Sequence, residues 1–332
     1  MRNGERTLRH LLDPIDDLRT DPAVTEIVIN RPGEVGTERG GVWTWRDVPE
    51  FDFDRLDAIA LLAGRMTNRE ADPAHPLCGS TFPDGERVQI CRPPATSAGI
   101  IAMCIRKPPK TPRRLDDPDL IELFSQANTG PARRTEADSR LLELYHAKDW
   151  LAFLAGAVKA RKTIGSTGLT GSGKSDFLRR LLGAVPDTDR VVTVESDPEF
   201  GSAAPRNSVA LFYNDDRKGQ EAVDVVKASL RMFPKTIAFQ EVRGPESFAL
   251  LRAIFSGHNS FTSWHADDGD EIGAMAMMLR QSDPCRQVPN EQLTAMVERC
   301  FDIIVSFHKD AGAFRVRRVW FKAAEQQARR AA

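Results

Sequence analysis

Gly168-Leu169-Thr170-Gly171-Ser172-Gly173-Lys174-Ser175 is the stretch that decides how the C-terminal half folds. It satisfies the pattern G-x-x-x-x-G-K-[ST] in full. Its three glycines let the backbone curl until successive N–H groups point inward, an arrangement that holds phosphate oxygens. The following segment, Lys174–Leu182, is helical in pattern and turns its positive dipole end toward the same anion. In such a loop Lys174 reaches the β- and γ-phosphates of ATP and the Ser175 hydroxyl ligates Mg2+. Gly168, Thr170, Gly171, Ser172 and Gly173 complete the phosphate cradle. Lys162–Ser166, just upstream, reads as the strand that delivers the chain into the loop.

Downstream, two apolar runs end in acids. Arg190–Val194 is followed by Glu195-Ser196-Asp197-Pro198-Glu199, and Thr236-Ile237-Ala238-Phe239-Gln240 by Glu241. Acids at the ends of parallel strands lie at the carboxyl edge of the sheet, where open α/β sheets bind ligands. A hydrolase needs a carboxylate there to orient water or support Mg2+. His258 and His265 are seven residues apart with no cysteine near, so the spacing does not fit zinc. A histidine after a strand and near a phosphate loop is placed to hydrogen-bond the γ-phosphate.

Upstream the pattern differs. Residues 1–20 carry Leu8, Leu11, Leu12, Ile15 and Leu18 near helical spacing. Thr25–Asn30, Val42–Arg46, Arg87–Cys91 and Ile100–Ile105 read as strands, and Phe53–Met66 as a helix begun by Asp52 or Asp54. Pro32-Gly33 suits the centre of a type II turn. Strands and helices without βαβ alternation predict a small α+β domain over 1–107. Prolines 108, 109, 112 and 118 among basic residues predict a linker over 108–135. Residues 136–332 then form the mostly parallel α/β domain, with one helical stretch over Glu136–Arg161.

Composition narrows the class further. The chain has 332 residues, enough for about two domains, each with its own core. Lys plus Arg is 46 and Asp plus Glu is 47, a balance unlike that of a dedicated nucleic-acid binder. No apolar run approaches the ~18 residues of a membrane helix, and Met1–Arg6 does not resemble a secretory signal. Cys78, Cys91, Cys104, Cys285 and Cys300 include no C-x-x-C pair, which fits reduced thiols in a cytoplasmic protein.

Taken together and in order, Gly168–Ser175, Thr193–Glu199, Leu230–Gly244 and Gly257–Ala266 resemble the motifs of the secretion/traffic ATPase superfamily. Asp21–Glu34 and Gly85–Pro94 narrow the resemblance to the hexameric ATPases of type IV secretion and conjugation systems, from about residue 8 to 310. The resemblance implies a RecA-like fold behind the N-terminal domain. It also implies a homo-hexamer on the cytoplasmic face of the inner membrane, working with inner-membrane components of a secretion apparatus on protein or DNA-protein cargo. ATP would sit between the two domains of one subunit. Glu241 corresponds to the Walker B acid and Glu195 to the glutamate of the aspartate box, both as further Mg2+ contacts. His265 corresponds to the histidine-box residue, and Arg87 and Arg106 to N-domain arginines on the phosphates.

Three positions depart from the family pattern. The second acid of the aspartate box is shifted by one, to Asp197. Gln240 stands where a small residue precedes the Walker B acid, and is expected to crowd the sheet edge. The histidine box is one glycine short between His258 and Phe261. The other readings of the same motifs are a type II secretion or pilus motor, a nucleotide-gated ring scaffold, and a small-molecule kinase; the last leaves the N-terminal domain unexplained.

Overall fold

The computed structural model describes residues 3–108, 122–124, 135–267, 269–310 and 313–331. Most of the expected linker lies outside these residues. The N-terminal part holds β1 (Glu26–Ile29), β2 (Glu34–Arg39), β3 (Val42–Asp47), β4 (Leu77–Thr81), β5 (Arg87–Cys91) and β6 (Ala102–Arg106). They form one antiparallel sheet in the order β3-β2-β1-β6-β5-β4.

Both faces of this sheet are buried, for different reasons. Ile27, Ile29, Val88, Ile90, Met103 and Ile105 share a core with Leu8 and Leu12 of the first helix and with Leu56, Ile59, Ala60 and Ala63. The last four follow the i, i+3, i+4, i+7 spacing that lays one stripe of the Phe53–Met66 helix on the sheet. Asp52 starts that helix by accepting from the Arg55 amide at 2.8 Å. The alternate residues Val28, Cys91, Ala102 and Cys104 point the other way and join a core with Val209, Leu211 and Met232 of the C-terminal half. Gly36 is needed at the rim, since a Cβ there would lie 2.8 Å from the Trp45 ring.

The C-terminal half holds β7 (Ile164–Thr167), β8 (Val191–Glu195), β9 (Ser208–Phe212), β10 (Thr236–Val242), β11 (Asn259–Trp264), β12 (Ile303–Asp310) and β13 (Ala313–Phe321). Their order is β13-β12-β7-β11-β10-β8-β9, parallel throughout except for the β12–β13 hairpin. β7, β8 and β11 are buried along their whole length, as central parallel strands covered on both faces are. The fold is thus α/β with a mostly parallel sheet, preceded by the smaller antiparallel sheet with its helices.

One element differs from expectation. The stretch Glu136–Arg161 is two helices, Glu136–His146 and Trp150–Lys159. Lys148 turns to φ 57 between them, and Asp149 caps the second helix by accepting from the Ala152 amide at 3.2 Å.

The seam between the halves buries charge. The Arg190 guanidinium is fully buried and donates to Met232 O at 2.6 Å, Asn30 Oδ1 at 2.7 Å and Asn207 Oδ1 at 2.6 Å. Glu26 lies 2% exposed nearby, 3.4 Å from Arg106 Nε. Burial raises its pKa to about 7, although the Arg106 charge works the other way. A carboxyl with a raised folded pKa favours the fold below its unfolded value and loses that contribution as pH rises through about 7. Glu26→Gln removes the ionisation. We expect its Tm to match wild type at pH 5 and to exceed it by a few degrees at pH 8, in paired thermal melts. A Gln variant that is less stable at pH 8 would show that the Arg106 contact outweighs the burial cost.

Candidate functional site

Gly168–Ser175 leaves the carboxyl end of β7 and enters the helix Lys174–Gly183. Gly168, Gly171 and Gly173 take φ of 139, 69 and 98, values that favour glycine. A Cβ at Gly168 would lie 2.3 Å from Phe307 O of β12, so the loop is also packed from the side. The Ser172 hydroxyl is buried without a hydrogen-bond partner among the described residues. Lys174 is 7% exposed, and its ammonium donates to Gly168 O at 2.7 Å and Leu169 O at 3.1 Å. Burial lowers the Lys174 pKa, while the nearby Glu241 charge opposes the shift.

Glu241 ends β10 at the same edge. Its Oε1 lies 2.8 Å from His265 Nε2. Its Oε2 accepts from Arg243 Nε at 2.7 Å and lies 2.6 Å from Arg243 Nη2 in an ion pair. His265 follows β11, and its Nδ1 lies 3.4 Å from Lys174 Nζ and 3.1 Å from Gly168 O. A hydrogen on Nε2 suits Glu241; at Nδ1 a lone pair serves the Lys174 ammonium and a hydrogen the Gly168 carbonyl. Lys174, His265, Glu241 and Arg243 therefore form one chain of contacts across the carboxyl ends of β7, β11 and β10.

Glu195 ends β8 and is 1% exposed. Its Oε1 accepts from Thr193 Oγ1 at 2.5 Å, and its Oε2 from the amides of Glu199 at 2.8 Å and Phe200 at 3.0 Å. This carboxylate shapes the loop after β8. Asp197 is exposed, and Ser196 Oγ donates to its carboxylate at 3.2 Å. Gln240 does not crowd the edge: it is 6% exposed and accepts from the Ser196 amide at 2.7 Å. His258 lies away from the loop, before β11, with Nδ1 3.1 Å from Pro234 O.

Arg87 and Arg106 are not brought to this loop. They are register partners on β5 and β6, on the face that carries Glu26 and Val28. They line a cavity of about 330 Å3 with Arg69, Arg231 and Phe233. Arg106 also borders Thr163, Lys235, Asn259 and Asp302, which stand at the amino ends of β7, β10, β11 and β12. The glycine loop, Glu241 and His265 stand at the opposite, carboxyl ends. A nucleotide clasped between the glycine loop and these arginines of one chain is incompatible with that separation.

The residues present fit a phosphate group and its Mg2+. The cradle is glycine-lined, Ser172 Oγ has no partner, and the Ser175 hydroxyl, at the helix start, has none among the described residues. Both Glu195 and Glu241 oxygens are engaged as described, so Ser175 is the side chain most open to the cation. Two supporting residues carry no plain motif. Glu246 accepts from the amides of Arg243 at 2.5 Å and Gly244 at 2.8 Å. Glu271 accepts from Ser306 Oγ at 2.5 Å, and Ser306 in turn bonds Thr167 at 3.1 Å, next to the glycine loop. An acid in the first turn of each helix was the only sequence signal for either.

Comparison with known proteins agrees with this architecture. The family model described as Type II/IV secretion system protein matches residues 136–298. The type IV secretion system protein VirB11 of Brucella suis is 32% identical over 320 residues, covering 93% of this chain and 89% of the relative. The type IV secretion system protein PtlH of Bordetella pertussis is 33% identical over 310 residues, 90% of each chain. The crystal structure of the VirB11 ATPase of Brucella suis in complex with sulphate superposes with a TM-score of 0.91 at 30% identity, over 99% of this chain and 98% of that one. No helix among the described residues is long and apolar enough to cross a membrane. The chain belongs to the VirB11 family of type IV secretion ATPases.

Proposed function

We propose that the chain hydrolyses Mg2+-ATP and couples the reaction to substrate translocation or pilus assembly by a type IV secretion apparatus. The observation that carries the reading is the convergence of Lys174, His265 and Glu241 beside an intact glycine loop. Phosphoryl transfer to water needs positioning and electrostatic stabilisation more than covalent chemistry. Lys174 and the loop amides bind the β- and γ-phosphates; Ser175 would hold Mg2+, which would supply charge to offset that developing on the leaving group. Glu241 orients the attacking water, and His265 reports the γ-phosphate to Glu241. Glu195 acts by shaping its loop and, through it, the cation's surroundings.

The chain works as two domains, 1–107 and 136–332, joined by 108–135. It works as a homo-hexamer at the cytoplasmic face of the inner membrane, with apparatus components and protein or DNA-protein cargo as partners. The test is steady-state phosphate release, with particle size measured with and without ATP and Mg2+. Tight ATP binding without release would favour a nucleotide-gated scaffold instead.

Arg87 and Arg106 serve this reaction only from a second copy, since within one chain they face the amino edge of the sheet. An arginine supplied from another subunit is worth ~10³ or more in phosphoryl transfer. Arg106→Ala should therefore turn over at a small fraction of the wild-type rate with its oligomer size unchanged. Mixing Arg106→Ala with Lys174→Ala subunits should restore part of the rate, because some sites then hold both intact groups. Wild-type turnover by Arg87→Ala and Arg106→Ala in intact rings would remove the phosphate role, leaving Arg106 as a partner of Glu26 only.

A further inference from the structure

We propose that Gln240 is a positioning residue for phosphate release, tying the end of β8 to the end of β10 between the two acids. The inference rests on the ATPase reading. It starts from where strand pairing stops. β8 and β10 pair from Val191–Thr236 to Val194–Phe239 and no further. On its other side β8 stays paired with β9 one residue longer, to Glu195–Phe212. The pairing of β10 with β11 becomes irregular between Phe239 and Val242. The backbone ladder therefore lapses around Gln240, immediately before Glu241.

Side chains take over where the ladder lapses. Gln240 Oε1 accepts from the Ser196 amide at 2.7 Å and from Ser196 Oγ at 3.2 Å. The amide carbonyl thus stands in for the backbone acceptor that β8 would otherwise meet. From the other side, Ser263 Oγ of β11 donates to the Gln240 carbonyl at 2.8 Å. Gln240, Ser196 and Ser263 form a cross-tie over β8, β10 and β11, and Gln240 and Ser263 are buried. It sits one residue after Glu195 and one residue before Glu241. A shift of Gln240 would move the Glu241 carboxylate relative to His265 and the loop after β8 relative to Glu195.

Among the described residues Gln240 makes no hydrogen bond to His265 or Lys174, so its effect passes through Glu241 and the 195–199 loop. Mispositioning by about 1 Å can cost roughly 100-fold in rate. Gln240→Leu keeps most of the side-chain volume and removes the acceptor. Gln240→Glu keeps an oxygen for the Ser196 amide. We expect Gln240→Leu to lower kcat by about 10- to 100-fold with ATP affinity, Tm and oligomer size close to wild type, and Gln240→Glu to recover most of the loss. Hydrogen exchange at the Ser196 amide should quicken in Gln240→Leu and stay slow in Gln240→Glu. Wild-type kcat in Gln240→Leu overturns the proposal. So does a kcat loss matched by equal losses of affinity and Tm, which marks a merely structural role. A wild-type chain that releases no phosphate would overturn the ATPase reading itself. The Ser196 exchange rate is measurable without turnover and separates the two failures.

Discussion

Lys174→Ala is expected to lower phosphate release by a factor on the order of 10²–10³ or more. Lys174 is the only cationic side chain in Gly168–Ser175, and it stands buried at the loop with no carboxylate of the described residues directly on its ammonium. Its current acceptors are two backbone carbonyls, with His265 Nδ1 3.4 Å away. These are neutral contacts, so a triphosphate can replace them at small cost. A charge-assisted bond to phosphate is about twice as strong as a neutral one and is made in ground state and transition state alike. The alanine variant should therefore lose ATP affinity as well as rate. Phosphate release and nucleotide binding, measured on both proteins at equal oligomer size, decide the matter; equal rates would sink the site assignment.

Glu241→Gln is expected to keep ATP binding and to lose turnover by about 10²–10⁴. Gln is nearly the same shape but cannot carry the charge that orients water. The change also disturbs its neighbours. Arg243 Nε now donates to one Glu241 oxygen, with Nη2 2.6 Å from the same atom, and a Gln amide can offer that guanidinium only an uncharged acceptor. Glu195→Gln is the informative comparison. Its carboxylate accepts two loop amides and a hydroxyl, so its loss should act through the 196–200 segment and be smaller. The reverse order of effects, with Glu241→Gln near wild type, would exchange the two roles.

How far the sequence spoke depends on how local each feature is. The glycine loop, the Asp52 cap and the Pro32-Gly33 turn are written in adjacent residues, and Gly33 does take φ 86. β2 and β4 had no such signature. Glu34-Val35-Gly36-Thr37-Glu38-Arg39 and Leu77-Cys78-Gly79-Ser80-Thr81 are poor in apolar residues. They are strands because neighbours supply the ladder: β2 lies between β1 and β3, and β4 pairs along β5. The acids at the carboxyl ends of β8 and β10 could be placed by the rule for parallel sheets. The arginines could not, because which end of the second sheet meets Arg87 and Arg106 depends on how two sheets pack. That packing is set by residues as far apart as Asn30, Arg190 and Asn207. Gln240 looked like an intrusion because its partner, Ser196, lies 44 residues earlier.

The order of strands in the second sheet also bears on how the molecule comes into being. β7 carries the phosphate loop, yet its two neighbours are β11 and β12. Those strands begin at residues 259 and 303, about a hundred residues or more downstream. A chain emerging from the ribosome N-terminus first can close its antiparallel sheet once β6 is out. Its phosphate loop, though complete in sequence, has no neighbouring strand until β11 (Asn259–Trp264) is made, and gains the second only with β12 (Ile303–Asp310). Such distant pairings are slow to form. The phosphate loop is thus assembled late, well after the antiparallel sheet, and a partly made chain that stops short of β11 leaves it without a strand at its side.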